Sequence, residues 1–210
     1  MLPMQISENE IIKRLMLSEA SFLTLKEKTL LQKKLDSFND IALMSNKELS
    51  SIINRDLIKT SWDGKKVLKK AQIANFLMQK FGIRWTFFGD SDYPVLLTEM
   101  KDSPYVIFYR GNLDCLKANC VSIVGTRRAT FTGKNAAFEF ARDASDNGET
   151  VVSGLAYGID LASHRGALAG KSAKTAAVLP GGIDSIIPAG HSKIAVQIVE
   201  NGGLILSEYT

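Results

Sequence analysis

The sequence predicts an α/β fold, a doubly wound parallel sheet preceded by a small all-helical domain. Three observations carry this. The first 80 or so residues show helical spacing of apolar residues and contain no Gly or Pro between Pro3 and Gly64. From Cys120 onward, short apolar runs alternate with helical stretches. Those runs are continuous rather than alternating, as in strands covered on both faces. The expected division is a helical domain over 1–82, a connector with sheet-joining strands over 83–114, and the sheet domain over 115–210.

Within the helical part, Ser7-Glu-Asn-Glu10, Thr24-Leu-Lys-Glu27 and Ser45-Asn-Lys-Glu48 match the capping-box pattern. Apolar residues follow each one: Ile11, Ile12, Leu15 and Met16; then Leu30, Leu31 and Leu35; then Leu49, Ile52 and Ile53. A longer helix is expected from about Trp62 to Lys80, with Val67, Leu68, Ile73, Phe76 and Leu77 inward and Gly82 as its stop. The reading is a bundle of four short helices. Lys65, Lys66, Lys69 and Lys70 fall on one side of the long helix, as a solvated face or as a phosphate-contacting patch. The glycine-bearing hairpin of a helix-hairpin-helix DNA module is absent.

Ile83–Phe88 and Tyr105–Tyr109 read as strands separated by the turn-rich Gly89-Asp-Ser-Asp-Tyr-Pro94. Beyond them, strands are expected near 120–124, 150–153, 174–179 and 203–207. Helices are expected near 133–147, 159–169 and 190–201, with Gly148, Gly170 and Gly202 as C-caps. The chain stops at Thr210 directly after a strand, so the domain is expected to continue beyond it.

Composition narrows the function classes. Across 210 residues the formal net charge is +4, which permits a nucleic-acid partner without demanding one. Cys115 and Cys120 form C-x4-C, neither a redox C-x-x-C nor a zinc knuckle, so reduced thiols are expected. With only His164 and His191, no metal site is expected. No apolar run reaches the roughly 18 residues of a membrane span, and the N-terminus lacks a basic n-region and an apolar h-region. A cytoplasmic protein without a membrane association is expected.

The chemistry concentrates in three loops after strands. The first is Gly125-Thr-Arg-Arg128, running to Gly133-Lys134. A glycine turn from a parallel strand into a helix brings backbone N–H groups close to an anion. Arg127, Arg128 and Lys134 add charge, either as bidentate phosphate contacts or as solvent-facing cations. The loop is not G-x-x-x-x-G-K-[ST], because seven residues separate Gly125 from Gly133 and Asn135 follows Lys134. Nor is it G-x-G-x-x-G. ATP hydrolysis and NAD binding thus lose their usual warrant, and no cofactor is expected.

The second loop is Ser153-Gly-Leu-Ala-Tyr-Gly-Ile-Asp160. Gly154 and Gly158 lie at the next strand end. Tyr157 either stacks on a base or packs on the sheet rim. Asp160 either caps the following helix or meets a ligand. His164, one turn on, forms an Asp–His pair for acid–base work or mutual support; with no nucleophile nearby, support is favoured. The third loop, Leu179-Pro-Gly-Gly-Ile-Asp184, offers Gly181 and Gly182 for close backbone approach. Lys174 opens the preceding strand, as a solvated end or as part of a shared basic groove.

These motifs resemble the DprA/Smf family of DNA-processing proteins. The resemblance rests on Ser122-Ile-Val-Gly-Thr-Arg127, Ser153–Asp160, Ala162-Ser-His-Arg-Gly-Ala-Leu168 and Ala177-Val-Leu-Pro-Gly-Gly-Ile-Asp184, in order. Ile187-Pro188, Leu206-Ser-Glu-Tyr209, Tyr93-Pro-Val-Leu-Leu97 and Phe108-Tyr-Arg-Gly-Asn-Leu113 add to it. It covers about residues 90–210. It implies a sterile-alpha-motif-like helical domain followed by a Rossmann-like domain. It also implies sequence-independent binding and protection of single-stranded DNA, loading of RecA onto it in natural transformation, and a homodimer at full length. Arg127 becomes the leading phosphate contact, Gly125 and Thr126 shape the pocket, Ser153, Gly154 and Gly158 form a wall, and Lys174 matches a basic groove position.

Two departures stand out. Thr126 replaces the commoner serine, and the family's downstream segment rich in Asn, Arg and Pro is absent after Thr210. The alternative is a nucleotide-processing hydrolase similar to phosphoribohydrolases, on the strength of Pro180-Gly-Gly182. Its catalytic Arg and Glu are not evident; Glu200 and Glu208 are the nearest carboxylates. A third reading is a protein-interaction piece with a vestigial pocket.

Overall fold

The computed structural model describes residues 6–57 and 62–210. The predicted helical region 1–82 therefore contains two stretches, 1–5 and 58–61, outside the described residues. The chain divides into two compact units. One runs to Phe81 and includes Met100–Val106; the other comprises Gly82–Glu99 and Ile107–Thr210. The segment read as a connector is split between them.

The first unit holds α1 (Glu8–Glu19), α2 (Leu25–Lys34), α3 (Phe38–Leu43), α4 (Asn46–Ile53) and α5 (Gly64–Phe81). Thr24 and Ser45 form full capping boxes with Glu27 and Glu48. Ser7 accepts from the Glu10 amide, but the Glu10 carboxylate turns to Lys13 and Arg14 instead. Helix α3 is one more than the four expected. Its signal was Ser37-Phe-Asn-Asp40, a capping box closed by Asp rather than Glu.

The inward face of α5 also differs from expectation. Ala71, Asn75 and Met78 are buried, whereas Ile73 and Phe76 are 50% and 61% exposed. α1 and α3 are the helices packed on α5, and the approach is close enough at Gly64 that a Cβ there would strike the Ala42 backbone of α3.

A buried lysine joins α1 to α2. Lys13 Nζ donates to the carbonyls of Gln32 (3.1 Å) and Leu35 (2.8 Å), at the end of α2, and meets Glu10 at 2.6 Å. It satisfies carbonyls that a helix C-terminus leaves open and sets a positive charge at the negative end of the dipole.

The second unit is a six-stranded sheet with α6–α9. Its strands are β1 (Arg84–Phe87), β2 (Val106–Gly111), β3 (Cys120–Ser122), β4 (Thr150–Ser153), β5 (Thr175–Val178) and β6 (Leu204–Ser207). Their order is β1-β2-β6-β5-β4-β3. β3 through β6 are parallel, and β2 runs antiparallel to β6 with Tyr109 opposite Leu206. The expected Rossmann-like α/β class is therefore what forms, with a mixed edge. α7 (Phe131–Asp146), α8 (Ile159–Ala169) and α9 (Ser192–Glu200) are the crossovers.

Strand alternation sorts the core into two faces. On one, Val151 packs with Ala141 and Ala144 of α7 and Ala167 of α8. On the other, Ile107, Tyr109, Ala176, Leu204 and Leu206 are covered by Tyr93, Cys115 and Leu97 of the short α6 (Val95–Thr98). The helices α7 and α8 approach so closely that a Cβ at Gly166 would strike the Phe138 backbone. Both cysteines are free thiols, and burial pushes that of Cys115 up to about 12. No described helix is long and apolar enough to cross a membrane.

Replacing Lys13 with Met would take the lysine donor from the Gln32 and Leu35 carbonyls, while Glu10 keeps Arg14. Urea unfolding of Lys13→Met is expected to show a loss of about 2 kcal/mol.

Candidate functional site

The carboxyl ends of the parallel strands gather the three loops on one edge, where open α/β sheets bind ligands. After β3, the Thr126 hydroxyl accepts from the Arg128 amide at 3.2 Å, tightening the turn. Thr130 caps α7 by accepting from Gly133 N at 3.1 Å. Arg127, Arg128 and Lys134 are all exposed. The first turn of α7 carries no acidic residue. Cations at the positive end of a helix dipole are unfavourable alone and become favourable with an anion between them.

After β4, the second loop is locked against the first. Gly158 has φ +83°, and a Cβ there would run into the carbonyls of Thr126 and Arg127. Ile159 N donates to Thr126 O at 3.3 Å, and Ser153 Oγ donates to Ile123 O at 2.7 Å. A Cβ on Gly125 would press on the Ile159 side chain. Asp160 is buried and accepts from the amides of Gly154 (3.2 Å) and Ala156 (3.4 Å). It braces the loop before its helix rather than capping the helix itself.

The third loop joins the same ledge. The buried His191, at the end of a 3-10 turn over Ala189–His191, donates from Nδ1 to Leu155 O at 2.8 Å. Its ring meets Tyr157 edge-on at 4.6 Å, which props Tyr157 outward at 53% exposure. Of the two roles expected for Tyr157, packing on the rim is what forms, through His191, and the rest of the ring stays open. Ser207 Oγ donates to Gly181 O at 2.6 Å, and Ile183 N donates to Tyr209 O at 3.0 Å, beside Gly182.

Between the first turns of α7 and α8 lies a cleft of about 410 Å³, lined by Arg127, Lys134, Asn135, Phe138, Tyr157 and Arg165 among others. Arg127, Arg128, Lys134 and Arg165 make no ion pair among the described residues. Sequence reasoning missed Arg165, Asn135 and Phe138. The signal was available, because Gly158, Leu161 and Arg165 share a face of α8 at helical spacing. A larger cleft of about 650 Å³ runs along Ser91–Leu96 and Leu113–Cys120. Its one cation, Lys117, is paired with Asp114, so its chemistry is weaker.

Lys174 does not join this group. It precedes β5, at the amino edge of the sheet, whereas the glycine loops sit at the carboxyl edge. Four strand residues at about 3.3 Å each separate the two edges by about 13 Å.

His164 is fully buried and does not pair with Asp160. Its Nδ1 stands 2.8 Å from Thr175 Oγ1, whose proton goes to Val151 O at 2.6 Å. Nδ1 therefore carries the hydrogen, and the buried Nε2 has no partner among the described residues. Burial, with His191 nearby, holds its pKa down at about 4. The described residues contain no group of three or more His, Cys, Asp or Glu placed to hold a metal.

The fold and this edge define the class as a Rossmann-like α/β protein whose carboxyl edge presents linked glycine turns and cations without ion pairs among the described residues. Comparison narrows the class. The sequence model for DNA recombination-mediator protein A matches residues 84–210, and the chain belongs to that family. Among relatives, it is 30% identical to Protein Smf of Borreliella burgdorferi over 94% of this chain and 62% of that protein. It is 39% identical to DNA processing protein DprA of Streptococcus pneumoniae over 57% of this chain and 42% of that protein. The chain thus spans about half the length of these relatives. The X-ray structure of the Streptococcus pneumoniae protein superposes with TM-score 0.65 at 27% identity, covering 98% of this chain and 69% of that one. A Helicobacter pylori DNA processing protein A, described for its single-stranded DNA binding mode, matches with TM-score 0.52 at 32% identity over 60% of this chain and 56% of that one.

Two measurements check this geometry. Gly158→Ala should cost about 3 kcal/mol or more by thermal melting, from a disallowed φ plus the clash. Gly181→Ala, which meets open space, should stay within about 0.5 kcal/mol. For His164 the folded pKa of about 4 lies below the ordinary 6.5, so the unfolded chain binds the extra proton as pH falls. Its contribution is full above pH 6.5 and is lost towards pH 4. Its share of the stability slope across that window should be up to about 1.4 kcal/mol per pH unit, and His164→Gln should flatten it.

Proposed function

We propose that this chain binds single-stranded DNA along the carboxyl edge of the sheet, without sequence preference. The observation that carries this is the cluster of Arg127, Arg128, Lys134 and Arg165, exposed and free of ion pairs among the described residues, beside the outward Tyr157. Guanidinium forks suit phosphate oxygens, and an aromatic face stacks on any base. In this reading Arg127 is the leading phosphate contact and Arg165 extends the path along α8. Gly125 and Thr126 shape the turn, Ser153, Gly154 and Gly158 form the adjoining wall, and Gly181 and Gly182 lie further along the edge. Family membership supports a recombination-mediator role, and the single-strand binding of the Helicobacter pylori relative supports the ligand.

From the same footing we propose protection of incoming strands and their delivery to RecA, with the chain acting as a binder rather than an enzyme. The hydrolase alternative needs an arginine and a carboxylate beside Pro180–Gly182. Glu200 ends α9, a crossover that has returned to the opposite edge, and Asp184, whose carboxylate lies beside Gly182, makes no ion pair with an arginine among the described residues.

Fluorescence anisotropy with labelled oligo-dT tests the site. Arg127→Ala and Arg165→Ala should each weaken binding to all sequences alike and reduce the log–log salt slope by about 0.7. Lys174→Ala should leave both unchanged. Unchanged binding in Arg127→Ala would overturn the assignment.

A further inference from the structure

Helix α5 carries Lys65, Lys66, Lys69, Lys70 and Lys80 and no acidic residue. At 100° per residue, Lys66, Lys69, Lys70, Ile73, Phe76 and Lys80 fall within one arc of about 120°. All six are exposed, and the buried Ala71, Asn75 and Met78 lie on the opposite side. Lys70 reaches Glu19 at 3.3 Å, and Lys80 lies over the rings of Phe76 and Phe81. Lys65, Lys66 and Lys69 make no ion pair among the described residues.

Nothing in the stability of the fold calls for this stripe. Lysines in a first turn oppose the helix dipole. The pairs Lys65/Lys69 and Lys66/Lys70 place like charges at i,i+4, which destabilises an isolated helix. Ile73 and Phe76 leave large apolar surface in water among those charges. A ligand that is polyanionic and has exposed flat apolar faces relieves all three costs together. Duplex DNA supplies only the charge, since its bases are stacked inside; a single strand supplies both.

We infer that the exposed stripe of α5 is a second contact for single-stranded nucleic acid. Lys66 and Lys69 meet phosphates, and Phe76 offers a stacking face. From Lys66 to Lys80 the stripe is about 21 Å long, room for several nucleotides. The inference takes the identity of the ligand from the reading of the loop edge but uses none of its residues.

The test is oligo-dT anisotropy as a function of salt on the whole chain, with Lys66→Gln/Lys69→Gln, Phe76→Ala and Arg127→Ala compared. These side chains are exposed, so the circular dichroism spectrum should not change. The double lysine variant should lower the log–log salt slope by about 1.4, at about 0.7 per single-strand phosphate. Phe76→Ala should weaken binding about fivefold or more with the slope unchanged. Weakened binding in Arg127→Ala alone would overturn the stripe and leave the loop edge standing. Weakened binding in the stripe variants alone would support the stripe and overturn the loop edge. Co-sedimentation with phosphatidylserine vesicles separates the other polyanionic surface. If the stripe variants lose vesicle binding while keeping oligo-dT binding, the stripe is a membrane contact and the inference fails.

Discussion

The carbonyl oxygens of Thr126 and Arg127 stand where any side chain at position 158 would have to be. This contact makes two loops from different strands into one surface. Gly158 also needs a positive φ, so the chain can enter α8 here only as glycine. Once the turn is made, Ile159 N reaches Thr126 O and the first turn of α8 settles beside the first turn of α7. Gly166 continues the close approach about two turns further along α8. Arg127, Lys134, Tyr157 and Arg165 share a cleft because these backbones touch.

Buried and exposed polar groups have divided the work. Asp160, His164, His191 and Ser153 are buried, and each spends its hydrogen bonds on main chain or on Thr175. They hold loops in register and leave little chemistry for a ligand. The cations at the edge are the reverse: exposed, without ion pairs among the described residues, and placed at the positive end of α7 where the fold gains nothing from them. Groups that stabilise the protein and groups available to a polyanion are therefore different residues. The lysine stripe on α5 repeats this pattern in the helical unit.

Much of this was legible from local pattern. Thr24 and Ser45 announced their helices through capping boxes, and the glycine loops announced their strand ends, because these signals act over three or four residues. α3 was missed although Ser37 and Asp40 form the same box, since Asp reaches back less commonly than Glu. Ile73 and Phe76 were expected inside α5. Periodicity identifies an apolar arc, but the partners α1 and α3 choose which arc is covered. The Asp160–His164 pair failed for a similar reason. Residues four apart on a helix are neighbours, yet loop amides took the carboxylate and Thr175, on the next strand, took the imidazole.

By itself the sequence determined the α/β class, the alternation of strands and helices beyond Cys120, the glycine turns and the presence of arginines at them, because propensity, capping and turn chemistry are local. Tertiary structure alone decided which charges meet. Lys174 was eligible by type but sits at the amino end of β5, about 13 Å of strand from the loops. Arg165 was given no site role from sequence but arrives in the cleft, because α8 is anchored through Gly158 to the turn that carries Arg127. Strand direction and helix contact set those positions, and both depend on residues far apart in the chain.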